Sequence, residues 1–425
     1  MTRRFIFSFI VILFVCVTAF SQEVLNGTLL KADKYYINKD YEMAVLFYLK
    51  YLEKFPRDYY AERQTALCFN KLNKPDDAID HWPIVVESSE ASEKDYWEYG
   101  KSLLMNNRGP EAKKIFMVLS RSTNKSLAAW AKTYVNPVAL YIDSSQTRVI
   151  EVNGVNTDLP ESSPFIFKEK LFYVTDLARS NRIFNAQTDM ESQRLSGALK
   201  KDSVQFFPSL IYDRLHEMGI HGQFCFSPDG YVLYFCKAVS NKEMKIKSET
   251  PYFKFQLFTL TMSTINNIQP EIKKFKYNVP GSDLMHPWVS ADGKRLFFVS
   301  DMKGSMGGKD VFMCEMLNGS WGPPVNLGSE VNTPGNEVFP FLSEDNVLYF
   351  ASDMRPGLGG LDIFSAAPAT EKGKYYQEAE NVGAYINSRF DDFGIYVMKG
   401  SMKGYFSSNR KNNTDDDIYY FLRKN

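Results

Sequence analysis

The sequence predicts a two-part chain, α-helical first and all-β after it. Three observations carry that prediction. Between residues 22 and 137 small residues return at intervals of 34: Ala32, Ala66 and Gly100, then Ala44, Ala78 and Ala112. Further on, one segment is written twice, as HPWVSADGKRLFFVSDMKGSMGGKDVF (286–312) and FPFLSEDNVLYFASDMRPGLGGLDIF (339–364). Between them, Pro137 ends the helical pattern and strand-like alternation begins in YIDSSQTRVIEVNG (141–154). A fixed repeat of this size means one supersecondary unit copied along the chain.

The first residues read as an address. Arg3 and Arg4 precede an apolar run from Phe5 to about Phe20, and Ala19 and Ser21 place small residues where a signal peptidase needs them. A leader of residues 1–21, cleaved before Gln22, is therefore expected; the run is slightly shorter than the roughly 20 residues of a membrane span. No later segment is apolar enough to span a bilayer. Of 425 residues 44% are apolar and 24% charged, with 50 basic and 50 acidic groups. Loss of Arg3 and Arg4 leaves 50 − 2 = 48 basic groups, so no electrostatic footprint for nucleic acid exists. Four cysteines follow the leader, too few for a disulfide scaffold. Cys225 and Cys236 flank one predicted hairpin but fall diagonally, which favours buried thiols over a bridge.

In the helical part, the second set of small residues is followed four positions on by Tyr48, Trp82 and Phe116. The first set is followed three positions on by Tyr35, Phe69 and Leu103. Small residues let two helices approach and the aromatic fills the space beside them. This pattern resembles the tetratricopeptide repeat, with repeats at 25–58, 59–92 and 93–126 and a capping helix at 126–134. The resemblance implies a concave surface that grips a protein or peptide; a rigid spacer is the other reading. Trp82 falls at a core position. Tyr96 and Trp97 are the candidate partner-binding residues.

From 138 to 425 a strand–turn–strand core is traceable five times: 164–176, 224–236, 287–301, 340–353 and 392–409. Asp229-Gly230 and Asp292-Gly293 are turn dipeptides that accept positive φ. Leu296-Phe297-Phe298-Val299 is apolar on both faces, as suits a strand sandwiched between neighbouring sheets. The links repeat as well: Asn326, Gly328 and Asn332 return as Asn381, Gly383 and Asn387, with Asn278 and Asn156 in similar settings. These features predict an all-β propeller of five blades, or six if 138–160 and 200–220 form another. Residues 237–255 read as an inserted charged loop. Ser227-Pro228-Asp229-Gly230 resembles the core turn of WD-like, TolB-type propeller repeats. The G-x-G-G-x-D-[IV]-F, W-G-P-P-V-N-L-G and V-N-T-P-G-N-E segments resemble envelope proteins of Bacteroidota associated with type IX secretion and gliding. In that family, tetratricopeptide repeats and a propeller precede regulatory-like and OmpA-like peptidoglycan-binding domains. Those last two have no counterpart before Asn425, so the resemblance implies no anchoring to peptidoglycan through this chain.

Catalytic signatures are sparse. His81, His216, His221 and His286 show no metal-ligand spacing, and neither a G-x-S-x-G elbow nor a phosphate- or dinucleotide-binding glycine motif occurs, so no cofactor is expected. Asp301 with Asp310, and Asp353 with Asp362, flank glycine-rich turns. They suit either Ca²⁺ ligation or hydrogen bonds to loop amides, and recurrence in adjacent blades favours the second. The expectation is a non-catalytic adaptor in the periplasm beside the outer membrane, binding envelope proteins. The alternative is a glycan or small-ligand sensor in the propeller mouth. A lyase-like enzyme would need His221, His286 and acidic groups to converge.

Overall fold

The computed structural model describes residues 27–38, 40–72, 74–135, 147–176, 193–200, 206–208, 219–248, 252–265, 270–400, 402–411 and 415–423. The expected leader, residues 1–21, and His216 lie outside them. The chain forms two compact units, Met1–Ala128 and Ala129–Asn425. No helix among the described residues is long and apolar enough to cross a membrane.

The first unit is built from antiparallel helix pairs: α1 (27–37) with α2 (Tyr41–Leu52), α3 (Tyr59–Lys71) with α4 (Pro75–Glu87), and α5 (Glu93–Met105) with α6 (Gly109–Leu119). A further helix, α7 (Lys125–Val135), follows. The starts are written locally. Asp40 and Asp58 accept hydrogen bonds from Met43 N and Ala61 N, Ser92 and Asp95 form a reciprocal capping box, and Pro75 opens α4. All five repeating alanines are fully buried, as are Tyr48, Trp82 and Phe116. The sixth small position has to be glycine, because a Cβ on Gly100 would lie 2.6 Å from the Phe116 ring. Trp82 is anchored as well as packed, its Nε1 donating to Ser102 Oγ at 3.0 Å.

The described residues of the second unit form five antiparallel sheets. The first contains β2 (Glu161–Phe167), β3 (Lys170–Asp176), β4 (Gln193–Lys200) and β5 (Phe206–Pro208). Next come β6 (His221–Phe226), β7 (Val232–Ser240), β8 (Phe253–Thr261) and β9 (Ile272–Lys274). The third has β10 (Leu284–Val289), β11 (Arg295–Ser300) and β12 (Asp310–Leu317), with short β13 (Ser320–Trp321) and β14 (Val325–Asn326) both on β12. The fourth has β15 (Glu337–Leu342), β16 (Leu348–Ser352), β17 (Asp362–Ala366) and β18 (Glu380–Asn381). In the fifth, β19 (Asp392–Val397), β20 (Lys403–Ser408) and β21 (Asp417–Arg423) take their fourth strand from β1 (Thr147–Glu151). The first strands touch in cyclic order, β2 to β6, β10, β15, β19 and back to β2, so the sheets are blades of a closed ring.

This pairing corrects the sixth-blade option. The strand at 147–151 completes blade five, and 206–208 is the outer strand of blade one. The expected charged loop at 237–255 is also revised: 237–240 and 253–256 pair residue for residue within β7 and β8, leaving a shorter connection. Burial of the second strands follows the sequence, with Leu296, Phe297, Phe298 and Val299 all fully enclosed.

Each innermost strand carries a bulge, and at each bulge one residue is left-handed: Ser163, Gly222, His286, Phe339 and Gly394, with φ between 52° and 59°. An extra residue on one strand sharpens its twist and re-aims the side chains that follow. Here it turns the next aromatic of four blades towards the ring axis. The second unit also includes the last turns of α7, where Gly357 N donates to the Tyr134 hydroxyl at 2.6 Å and Arg355 lies 5.6 Å from the Trp130 ring.

Candidate functional site

The two ends of the ring differ. One end carries the glycine-rich loops after the second strands and the links that enter the next blade. The four aspartates singled out for Ca²⁺ stand there, each committed to a neighbouring donor. Asp310 accepts from Met306 N and Asn326 Nδ2, both at 2.7 Å, and Asp362 accepts from Leu358 N and Gly359 N at 2.8 and 3.0 Å. Asp353 accepts from Asn336 N and Nδ2 at 2.7 and 2.6 Å. Asp301 accepts from Asp283 N at 2.7 Å and pairs with Lys254. Among the described residues no three His, Cys, Asp or Glu side chains form a metal-binding group. The glycine pairs have a separate cause. A Cβ on Gly307 would meet Pro334 backbone at 2.3 Å, and one on Gly359 would meet Phe390 O at 2.0 Å. These pairs mark where the link to the next blade crosses the loop.

At the same end, residues scattered in sequence converge between blades two and three. Gly222 and His286 are neighbours across the seam between these two blades, and the Cys236 thiol donates to His221 O at 2.8 Å. Asp283 pairs with Lys309 at 3.3 Å and Lys254 at 3.6 Å. Burial, aided by Lys309, pushes the His286 imidazole down to about 3, so it is neutral at physiological pH. It accepts from Phe339 N at Nδ1 and stacks on the Phe339 ring at 3.8 Å. Cys225 and Cys236 are free and buried, offset along the hairpin with Cys225 facing Tyr234 and Cys236 facing His221.

The opposite end, at the turns that follow the first strands, holds a cup on the axis with a volume of about 130 Å³. All five blades line it. Phe165, Trp288, Phe341 and Tyr396 occupy one register position in four of them, and Cys225 takes that place in the second. Trp288 reaches beyond its own blade: its ring lies 5.8 Å from Phe165, 4.8 Å from Phe341 and 6.3 Å from Tyr396. Deeper in, Gln223 Nε2 spans from blade two to Pro340 O of blade four at 2.7 Å, which obstructs the channel. Ser290, Ala291, Glu344 and Lys399 stand at the rim, the last two as an ion pair. The sequence offered the propeller mouth as an alternative ligand site, but none of the residues that line this cup was singled out for it. Its one signal is the aromatic repeated two residues after the bulge, which means little until the ring brings blades together.

In the helical unit, Trp97 is not at a surface, contrary to expectation. It is fully buried with its edge on Phe116 at 5.4 Å, because it shares the inward face of α5 with Gly100 and Leu103. Tyr96 is half-buried and its hydroxyl donates to Val86 O at 2.9 Å. Asp95 is the polar hub, accepting from Arg63 Nε at 2.6 Å and the Tyr59 hydroxyl at 3.0 Å.

Comparison with known proteins gives limited relatives. No family model matches the chain. A tetratricopeptide repeat-containing protein of Methanocaldococcus jannaschii is 39% identical over 57 residues, 13% of this chain and 18% of that protein's length. The chain thus spans less than a fifth of that relative. Among solved structures, a prolyl endopeptidase is 13% identical at a TM-score of 0.30, covering 67% of this chain and 44% of that one. A Bombyx mori GH32 β-fructofuranosidase gives 9% and 0.38, covering 70% and 66%. An α-L-arabinofuranosidase from Lactobacillus brevis gives 10% and 0.37, covering 64% and 92%. Peptidases and glycoside hydrolases are among the solved structures it matches, so the expectation that the chain is not an enzyme is withdrawn. Scores this low transfer none of their activities to this chain.

Proposed function

We propose that this protein is a scaffold that holds protein partners together in a bacterial envelope. The observation that carries the reading is the array of three helix pairs, with its 34-residue spacing and its local match to a tetratricopeptide repeat protein, joined in one chain to a closed propeller. Repeat arrays of this kind present extended surfaces suited to binding. Exposed Leu30, Ile37 and Leu46 on the first helix pair offer apolar contacts. The compartment rests on the leader-like residues 1–21. The assembly, of type IX secretion or gliding kind at the periplasmic side of the outer membrane, rests on the resemblance of the glycine–aspartate and asparagine segments to Bacteroidota envelope proteins. Affinity capture of the tagged protein from native envelopes tests the reading. One or two stoichiometric envelope proteins are expected, and an empty capture under conditions that keep the protein folded contradicts it.

The axial cup favours a second reading, in which the propeller holds a small ligand. Ligand sites commonly sit at the mouths of ring and barrel architectures.

A further inference from the structure

We infer that the seam where the ring closes is a proton-operated latch, tight while the carboxyls gathered there hold protons and loosened when they ionise. The inference goes beyond the scaffold reading and does not depend on it.

Blade five takes its outer strand from the segment ahead of blade one, so the stretch 147–161 holds the circle shut. Strand β1 pairs with β21 from Thr147 with Arg423 to Glu151 with Tyr419. Val152 N then donates to Ile418 O at 3.0 Å, Asn156 bonds both main-chain groups of Ile418, and Glu161 N donates to Asp416 O at 2.6 Å. These bonds set acids beside acids. Glu161 is tied to the residue between Asp415 and Asp417. Glu151, opposite Tyr419, is the diagonal neighbour of Asp417 on one face of the sheet, within reach of a long side chain.

Glu161 is fully buried and Asp417 nearly so. Asp415 and Asp417 face Glu161, with Tyr173 facing it from β3. Glu151, Asp415 and Lys411 face Asp417, as does Tyr419. Lys411 cannot neutralise them all, since it pairs with Glu151 at 2.8 Å and also faces Asp158. Arg410 beside it is committed to Asp392. Among the described residues the cluster therefore holds more carboxyls than cations. Burial first, then the neighbouring carboxylates, pushes Glu161 up to about 7; burial, opposed by Lys411, pushes Asp417 up to about 6. Carboxyls raised in the closed seam contribute stability that is full below pH about 4 and lost as pH rises through 6 to 7. Asp392 holds the place of Glu161 in blade five and has its own arginine. Glu337 holds it in blade four, where all four strands follow one another in the chain, so its ionisation frees no closing strand.

Hydrogen exchange of the full protein, read by mass spectrometry at a series of pH values, tests the latch. Each rate is divided by the intrinsic exchange rate at that pH. Between pH 5 and pH 7.5 the protection of β1 and β21 should fall at least about tenfold relative to β12 of blade three. Glu161→Gln and Asp417→Asn keep the shape of each carboxyl without its charge, so each should shrink that fall and the two together should abolish it. Lys411→Gln removes the opposing cation and should deepen it. Glu337→Gln should leave it intact, which separates the latch from a general loss of stability. If Glu161→Gln does not fold, Asp417→Asn and Lys411→Gln still decide by moving the fall in opposite directions. The inference is overturned if β1 and β21 follow pH in step with β12, if their protection rises with pH, if the fall survives the double variant, or if Glu337→Gln removes it. An empty affinity capture would sink the scaffold reading and leave this one standing.

Discussion

Asparagine side chains take over backbone pairing at the edges of four blades. Asn332 Oδ1 accepts from Val311 N at 2.8 Å and its Nδ2 donates to Val311 O at 3.0 Å. Asn387 does the same to Ile363, Asn278 to Leu257 and Asn156 to Ile418. Each clasp satisfies a main-chain donor and acceptor that a longer outer strand would otherwise pair. Asn332→Ala should leave Val311 N buried and unpaired, while Val311 O keeps Leu327 N at 3.3 Å, at a cost of about 1–3 kcal/mol in urea unfolding. Thr333, Glu337 and Ser352 form a second repeated device. Thr333 N and Oγ1 and Ser352 Oγ all donate to the Glu337 carboxyl, and burial pushes that group up to about 7 from 4.5. A raised carboxyl contributes stability that is full below pH about 4.5 and lost as pH rises through about 7. Glu337→Gln should therefore flatten the fall of stability between those values, by roughly 3 kcal/mol at most; an unchanged pH profile would show that the carboxyl is not held protonated. The asparagines were legible in the sequence because a clasp needs the same residue at the same offset in every link. Trp97 was misread because exposure depends on which face α5 turns inward, and that is decided by Phe116 in another helix.

At the scale of elements, small residues set distances and bulges set directions. Gly100→Ala gains helix propensity of about 1 kcal/mol but drives a methyl into a fully buried Phe116 ring, so a net loss of about 1–2 kcal/mol is expected in thermal unfolding. Gly359→Ala has no helix gain to offset it and meets rigid backbone, so it should cost more than Gly100→Ala. The 34-residue period and the return of Gly307-Gly308 as Gly359-Gly360 made both element types readable, because close approach demands a small residue every time. The bulges were not readable. Ser163, His286 and Phe339 adopt left-handed backbone that nothing in their side chains advertises, and only the ring explains why every inner strand must turn there.

For the whole molecule, closure is the feature that chain order hides. Strand β1 precedes all five blades in sequence and completes the last one in space, pairing Thr147–Glu151 with Arg423–Tyr419. That is why the segment around 147–151 read as the start of a sixth blade. Removing residues 147–151 should expose the edge of β21 and lower the thermal midpoint of the propeller far more than removing an equal length of loop, with aggregation through the open edge. The scaffold reading belongs to this scale too, since it asks what one chain gains from a helical array and a closed ring together. Crosslinking of the full-length protein in native envelopes, mapped residue by residue by mass spectrometry, tests it most directly. The account predicts crosslinks from both units to a small, constant set of envelope proteins. Crosslinks spread thinly over abundant proteins, with neither unit showing a preferred partner, would contradict it.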